Sequence, residues 1–167
     1  MPTPFANEPI TFNWTEDRAK SIHAGLVKVR ERADEVRPLR FRGELDKDGD
    51  TIESYNPSNH TELLGRTVKA SADMAKSAVE YANDRFQNYW RKTDVGMRAR
   101  ILMRAAGLMR GKYRDELNAY LILEAGKSWT EADADTAEAI DFCEFYAREA
   151  IKLQGEPQAL TALPGED

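Results

Sequence analysis

Residues 131–153, "EADADTAEAIDFCEFYAREAIKL", read as one long helix and constrain the fold more than any other stretch. The helix is apolar over most of its circumference, as expected of a helix with neighbours on several sides. Glu138 breaks the pattern. At about 100° per residue it shares a face with Ala134, Phe142 and Phe145. If that face is exposed, Glu138 is a solvated acid. If the two phenylalanines are buried, the carboxylate has a structural partner, lines a cavity or is protonated, because burying it alone and charged is costly. Period and composition by themselves favour the solvated reading.

The chain upstream is helical back to Ser71. Ser71 is a capping residue with Asp73 in the first turn, and Met74, Ala78, Ala82, Phe86 and Tyr89 form one stripe. Thr93 or Asp94 restarts the helix, and Ile101, Leu102, Ala105, Leu108 and Met109 form the next apolar face. Gly111 marks a bend. Gly126 suits a left-handed helix end, and Thr130 with Asp133 resembles a capping box for the final helix. Three long helices are expected over 71–153. A separate amphipathic helix is expected over 15–37, capped at Thr15 and stopped by Pro38.

Between them the period changes from helical to alternating. Leu39 and Phe41 face Ile52 and Ser54 across Asp48-Gly49, which predicts a hairpin over 39–55. Asn56-Pro57-Ser58-Asn59 is a second turn, and 62–70 a short strand. The fold class expected is mainly α with a β-hairpin and a short strand. The tail, 154–167, carries two prolines and two glycines and no period.

Several functions are disfavoured. With 24 basic and 29 acidic residues in 167, the net charge is −5 and no basic block is present, so no nucleic-acid partner is expected. No run approaches the roughly 18–20 apolar residues of a membrane span, and the opening residues do not resemble a secretory signal. The single cysteine, Cys143, cannot form an internal disulfide, which points to a reducing, cytoplasmic setting. It sits in mid-helix, far in sequence from His23 and His60, and reads as an inert thiol with no zinc spacing. "DKDGD" is a turn, not a calcium loop: counted from Asp46, position 6 is Thr51 and position 12 is Pro57. Among the basic residues at 30, 32, 37, 40 and 42 acids interleave only in the first half of the run, and a solvated face is favoured over an anion site. No phosphate-cradling glycine motif is found.

The order of the pieces resembles the N-terminal part of the aldehyde dehydrogenase superfamily: the "YNPSN" turn, "ELLGRTVKAS", "FQNYWRKT", the arginine-rich "RARILMRAAGLMR" and the Glu124-Ala125-Gly126-Lys127 ending. "LEAGKSWTEADADTAEAIDFCEFYAREAIKL", with "NEPITFNW" and "LPGED", is similar to the 1-pyrroline-5-carboxylate dehydrogenase branch. The resemblance implies the N-terminal part of an α/β fold and an NAD-dependent oxidation of L-glutamate γ-semialdehyde to glutamate, in proline catabolism. It also implies a homo-oligomer and a small aldehyde substrate. It places Glu138 in the aldehyde pocket, with Glu144, on another face, as its control. Members are about three times this long. The nucleophilic cysteine, the general-base glutamate and the NAD-binding elements fall outside the matched stretch, so no catalytic, cofactor or metal residue is assigned. The chain therefore reads as one incomplete domain, inactive alone. The alternatives are a free-standing helical interaction module without catalysis, or a piece of an aldehyde dehydrogenase with another substrate.

Overall fold

The computed structural model describes residues 4–41, 44–46 and 48–155. Thr15 starts the first helix, α1 (Glu16–Glu31), as its sequence predicts, its side chain accepting from the Arg18 amide. The helix stops well short of residue 37. The amides of Arg32 and Ala33 turn back onto the Val29 and Arg30 carbonyls, and Val36–Arg37 becomes a short strand, β1. Pro38 biases Arg37 toward extended backbone, and a sheet edge is available to receive it.

That sheet differs from the expected hairpin over 39–55. Leu39–Phe41 (β2) pairs antiparallel with Glu44–Asp46 (β3), and Thr51–Asn56 (β4) pairs with Asn59–Val68 (β5). The arms at Leu39 and Ile52 therefore never meet, and Gly49, at φ 124°, lies in the link between two hairpins. The tight turn is the Asn-Pro one. The Asn56 side chain accepts from the Ser58 amide at 2.9 Å and Asn56 pairs with Asn59 across two residues, a geometry that asparagine and proline favour. β1 adds in parallel to the far edge of β5, giving the order β1-β5-β4.

Four helices rather than three follow: α2 (Ala72–Asn88), α3 (Val95–Arg110), α4 (Arg114–Ala125) and α5 (Trp129–Gly155). Ser71 and Asp94 cap α2 and α3 through their side chains. The break at Gly111 separates α3 from α4, and Gly126, at φ 66°, ends α4 in the left-handed conformation. The cap of α5 lies two residues before the expected one. Ser128 Oγ accepts from the Glu131 amide at 3.3 Å, and Glu131 accepts from the Ser128 amide at 2.9 Å. This leaves Asp133 free for other work.

Two packed regions result. Leu26 and Val29 of α1, Leu64 of β5 and Ala119 and Leu123 of α4 form one apolar cluster. α1 lies so close to α4 that a Cβ on Gly25 would stand 2.6 Å from the Asp115 carbonyl oxygen. The second region lies between α3 and α5, with Ala99 and Ala106 buried on α3 and Ala137, Ile140 and Ala147 buried on α5. Small side chains let two helix backbones approach closely. Among the described residues no helix is long and apolar enough to cross a membrane.

Candidate functional site

The helix α5 is held by the chain's own N-terminal segment. Residues 5–14 run along it in the opposite direction, with a contact near each turn. Trp14 donates to Thr130 Oγ1 at 3.1 Å and meets Trp129 edge-on, with 5.3 Å between ring centroids. His23 packs on the other side of Trp129. The Thr11 amide donates to Asp133 at 2.7 Å. Asn7 Nδ2 and the Glu8 amide donate to the two oxygens of Asp141 at 2.8 and 2.7 Å. Phe5 meets Phe145 edge-on at 5.5 Å.

Asp133 is the centre of this clamp. It is fully buried, and both its oxygens are satisfied. Arg114 grips it with Nε at 2.8 Å and Nη2 at 2.9 Å, a bidentate fork. Asn118 Nδ2 donates to it at 2.8 Å, and Asn118 in turn accepts from Thr136 at 2.6 Å. Burial by itself raises the carboxyl's pKa. The Arg114 fork, the Thr11 amide and Asn118 outweigh burial and hold Asp133 well below the usual carboxylate range. Arg114 also donates to Glu8 at 2.7 Å and to the Pro9 carbonyl at 2.7 Å. One turn earlier on the chain, Arg110 bridges Glu8 and Glu144, both at 2.6 Å. Sequence reasoning missed this network. Its visible signal was two arginines at i and i+4, Arg110 and Arg114, together with the acids that recur along α5.

Glu138 lies on the opposite side of α5, exposed, with Phe142 (51% exposed), Phe145 (41%) and Tyr146 (58%) around it. The three rings touch: Phe142 and Tyr146 lie 5.9 Å apart and Phe145 and Tyr146 5.4 Å. Of the two sequence-level alternatives for this face, the exposed one describes the chain as it stands. Glu144 is no neutral control. It accepts from Arg110 and Arg148, is half-buried, and titrates below the ordinary glutamate range because of the Arg110 contact. Cys143, half-buried on the same helix, touches neither histidine among the contacts described. Among the described residues no three metal-ligating side chains cluster.

The chain belongs to the aldehyde dehydrogenase family, whose model matches residues 45–166. It is 44% identical over 167 residues to the 1-pyrroline-5-carboxylate dehydrogenase of Anoxybacillus flavithermus, covering 99% of this chain and 32% of that protein. A variant of the Thermus thermophilus 1-pyrroline-5-carboxylate dehydrogenase superposes with a TM-score of 0.88 at 39% identity, over 100% of this chain and 32% of that one. A Thermus 1-pyrroline-5-carboxylate dehydrogenase with bound NAD gives 0.87 at 40% identity, again over 100% and 32%. The chain thus spans about a third of the length of these relatives, and its fold is the N-terminal part of theirs.

Proposed function

We propose that this chain is the N-terminal portion of an NAD-dependent dehydrogenase that oxidises L-glutamate γ-semialdehyde to L-glutamate, and that Glu138 lines its aldehyde pocket. The carrying observation is that the likeness to 1-pyrroline-5-carboxylate dehydrogenases runs through the whole chain, with 44% identity over 99% of it. The bare face around Glu138 supports the pocket assignment. A carboxylate in an aromatic surround holds a hydrogen-bond donor of a substrate, or an ordered water, by a charge-assisted contact. The chain's own contribution would then be to place that acceptor, with the N-terminal clamp fixing the rotation of α5.

By this reading the isolated chain neither binds NAD nor turns over. β5 enters α2 through Lys69-Ala70-Ser71, without the glycines that let a backbone approach a pyrophosphate. Cys143 sits in mid-helix, and among the described residues no contact with a histidine is found. The complete enzyme would be a cytoplasmic homo-oligomer acting on a small aldehyde. The test is a chimera in which this chain replaces the matching third of the A. flavithermus protein. NADH formation with glutamate γ-semialdehyde, and little with simple aliphatic aldehydes, is the expected result. A folded chimera inactive on the semialdehyde sinks the proposal.

A further inference from the structure

We propose that Asp141 is the positioning residue for Glu138: the N-terminal segment grips it, and that grip sets the rotation of α5 at which the Glu138 carboxylate meets the substrate. The proposal rests on the aldehyde-pocket reading above and adds to it the means of placement. Among the described residues none holds Glu138 by a hydrogen bond or ion pair. Its position is therefore inherited from the backbone of α5. The buried ties at Asp133 and Thr136 precede it on the helix. Asp141 is the first tie after it, three residues on, where side chains are neighbours on a helix surface. The two sets of ties bracket the acid.

Both oxygens of Asp141 are turned to the N-terminal segment, one to Asn7 Nδ2 at 2.8 Å and one to the Glu8 amide at 2.7 Å. The grip is anchored elsewhere. The Glu8 side chain is almost fully buried and receives Arg110 of α3 at 2.6 Å and Arg114 of α4 at 2.7 Å. The amide that holds Asp141 thus belongs to a residue fixed on two other helices. Phe5 meets Phe145 on the next turn, so the segment reaches the Glu138 face from its edge. Released from these donors, Asp141 would be a second acceptor for the same substrate donor, and a like charge one turn from Glu138. The distances involved are small. At about 5–6 Å from the helix axis a carboxylate moves about 1 Å when the helix turns by about 10°. Misplacement on that scale costs up to about 100-fold in rate.

The test is a double-mutant cycle in the chimera with the A. flavithermus protein. Asp141→Ala should lower kcat/KM for the semialdehyde about tenfold and leave KM for NAD unchanged. Added to Glu138→Ala it should cost less than about twofold more, because a residue that acts through Glu138 then has nothing left to place. A residue that only stabilised the fold would cost the same in both backgrounds. Asp141→Asn keeps an oxygen for the Glu8 amide and, with the Asn7 amide turned over, a second hydrogen bond. It should therefore retain at least about half of kcat/KM. Asn7→Ala removes one donor at an exposed position, should cost about threefold, and carries the same cycle if Asp141→Ala does not fold. Three results in an active chimera overturn this inference and leave the proposed function standing: no loss with Asp141→Ala or Asn7→Ala, a loss that repeats in full beside Glu138→Ala, or an Asp141→Asn as poor as Asp141→Ala. A folded chimera inactive on the semialdehyde, or a silent Glu138→Ala in an active one, overturns the reading beneath and this inference with it.

Discussion

The two sides of α5 are built from similar residues and treated in opposite ways. On one side an acid, Asp133, is fully buried and receives donors from an arginine, an asparagine and a backbone amide. On the other an acid, Glu138, stands exposed among three aromatic rings that are themselves exposed. The first arrangement is complete within this chain, since each charge taken out of water has found its partners. The second is left in water. The difference separates an acid that this chain's fold satisfies from one that it leaves exposed. The nearby pairing of Asp141 with Asn7 and the Glu8 amide marks the border between them.

The strapped side should break hardest. Arg114→Ala leaves Asp133 buried with Asn118 and the Thr11 amide as its described donors, and removes one of the two arginines that hold Glu8. Removing one partner of a buried ion pair costs about 3–5 kcal/mol. That corresponds to a fall in Tm on the order of 10 °C for a chain of this size, measured by thermal or urea denaturation. Exchange of the amides of residues 7–14 should speed up with it. A loss under about 1 kcal/mol would mean that the clamp does not hold α5.

The bare side should break function instead. In the chimera, Glu138→Ala is expected to lower kcat/KM for the semialdehyde about 10- to 100-fold, or about 1.5–3 kcal/mol, the range for a hydrogen bond to a charged group. NAD affinity should stay nearly unchanged. Glu80→Ala, on exposed α2, replaces Glu144 as the control. Equal effects at positions 138 and 80 would remove Glu138 from the pocket.

Acid should distinguish the sides without any substitution. Asp133 and Glu144 titrate below their ordinary values in the folded chain. Their contribution is therefore full above the unfolded carboxylate pKa values of about 4 and is lost as pH falls through the depressed folded ones. Unfolding free energy should be flat from about pH 7 to 5 and decline below about pH 4. In Arg114→Ala that decline should be shallower, since the depression of Asp133 is largely gone. An equally steep decline in both would place the acid-sensitive charges elsewhere.

Most helix caps, and the stop at Gly126, were legible because they are local, whereas the end of α1 and the cap of α5 were misplaced. Thr15, Ser71, Asp94 and Gly126 act through neighbours a few residues away. The strand pairing was misread because two turn signals competed. Asp48-Gly49 has the backbone freedom for a hairpin, yet the Asn56 side chain closes the next one and β5 recruits both β4 and β1. The Asp133 clamp joins residues more than 100 positions apart at Thr11, and no period records such a partnership. The family resemblance was readable because it lies in the order of motifs, but whether the Glu138 face is covered depends on polypeptide beyond α5's own neighbours.

The smallest effect expected is on the bare side of the isolated chain. Glu138→Ala should change its stability by no more than about 0.5 kcal/mol, the usual range for surface positions without special contacts, and Phe142→Ser and Phe145→Ser by no more than about 1.5 kcal/mol, since each also gives up a ring contact. Phe145→Ser should be the largest of the three, because Phe145 also meets Phe5, and an edge-on aromatic pair contributes about 0.5–1.5 kcal/mol when well buried. At 41% exposure it should deliver the low end of that range. Removing the aromatic groups should also raise solubility, since the patch is what favours association. If any of these changes costs more than about 2 kcal/mol in urea denaturation of the isolated chain, the face is part of this chain's own core. The contrast between the two sides of α5 would then be lost.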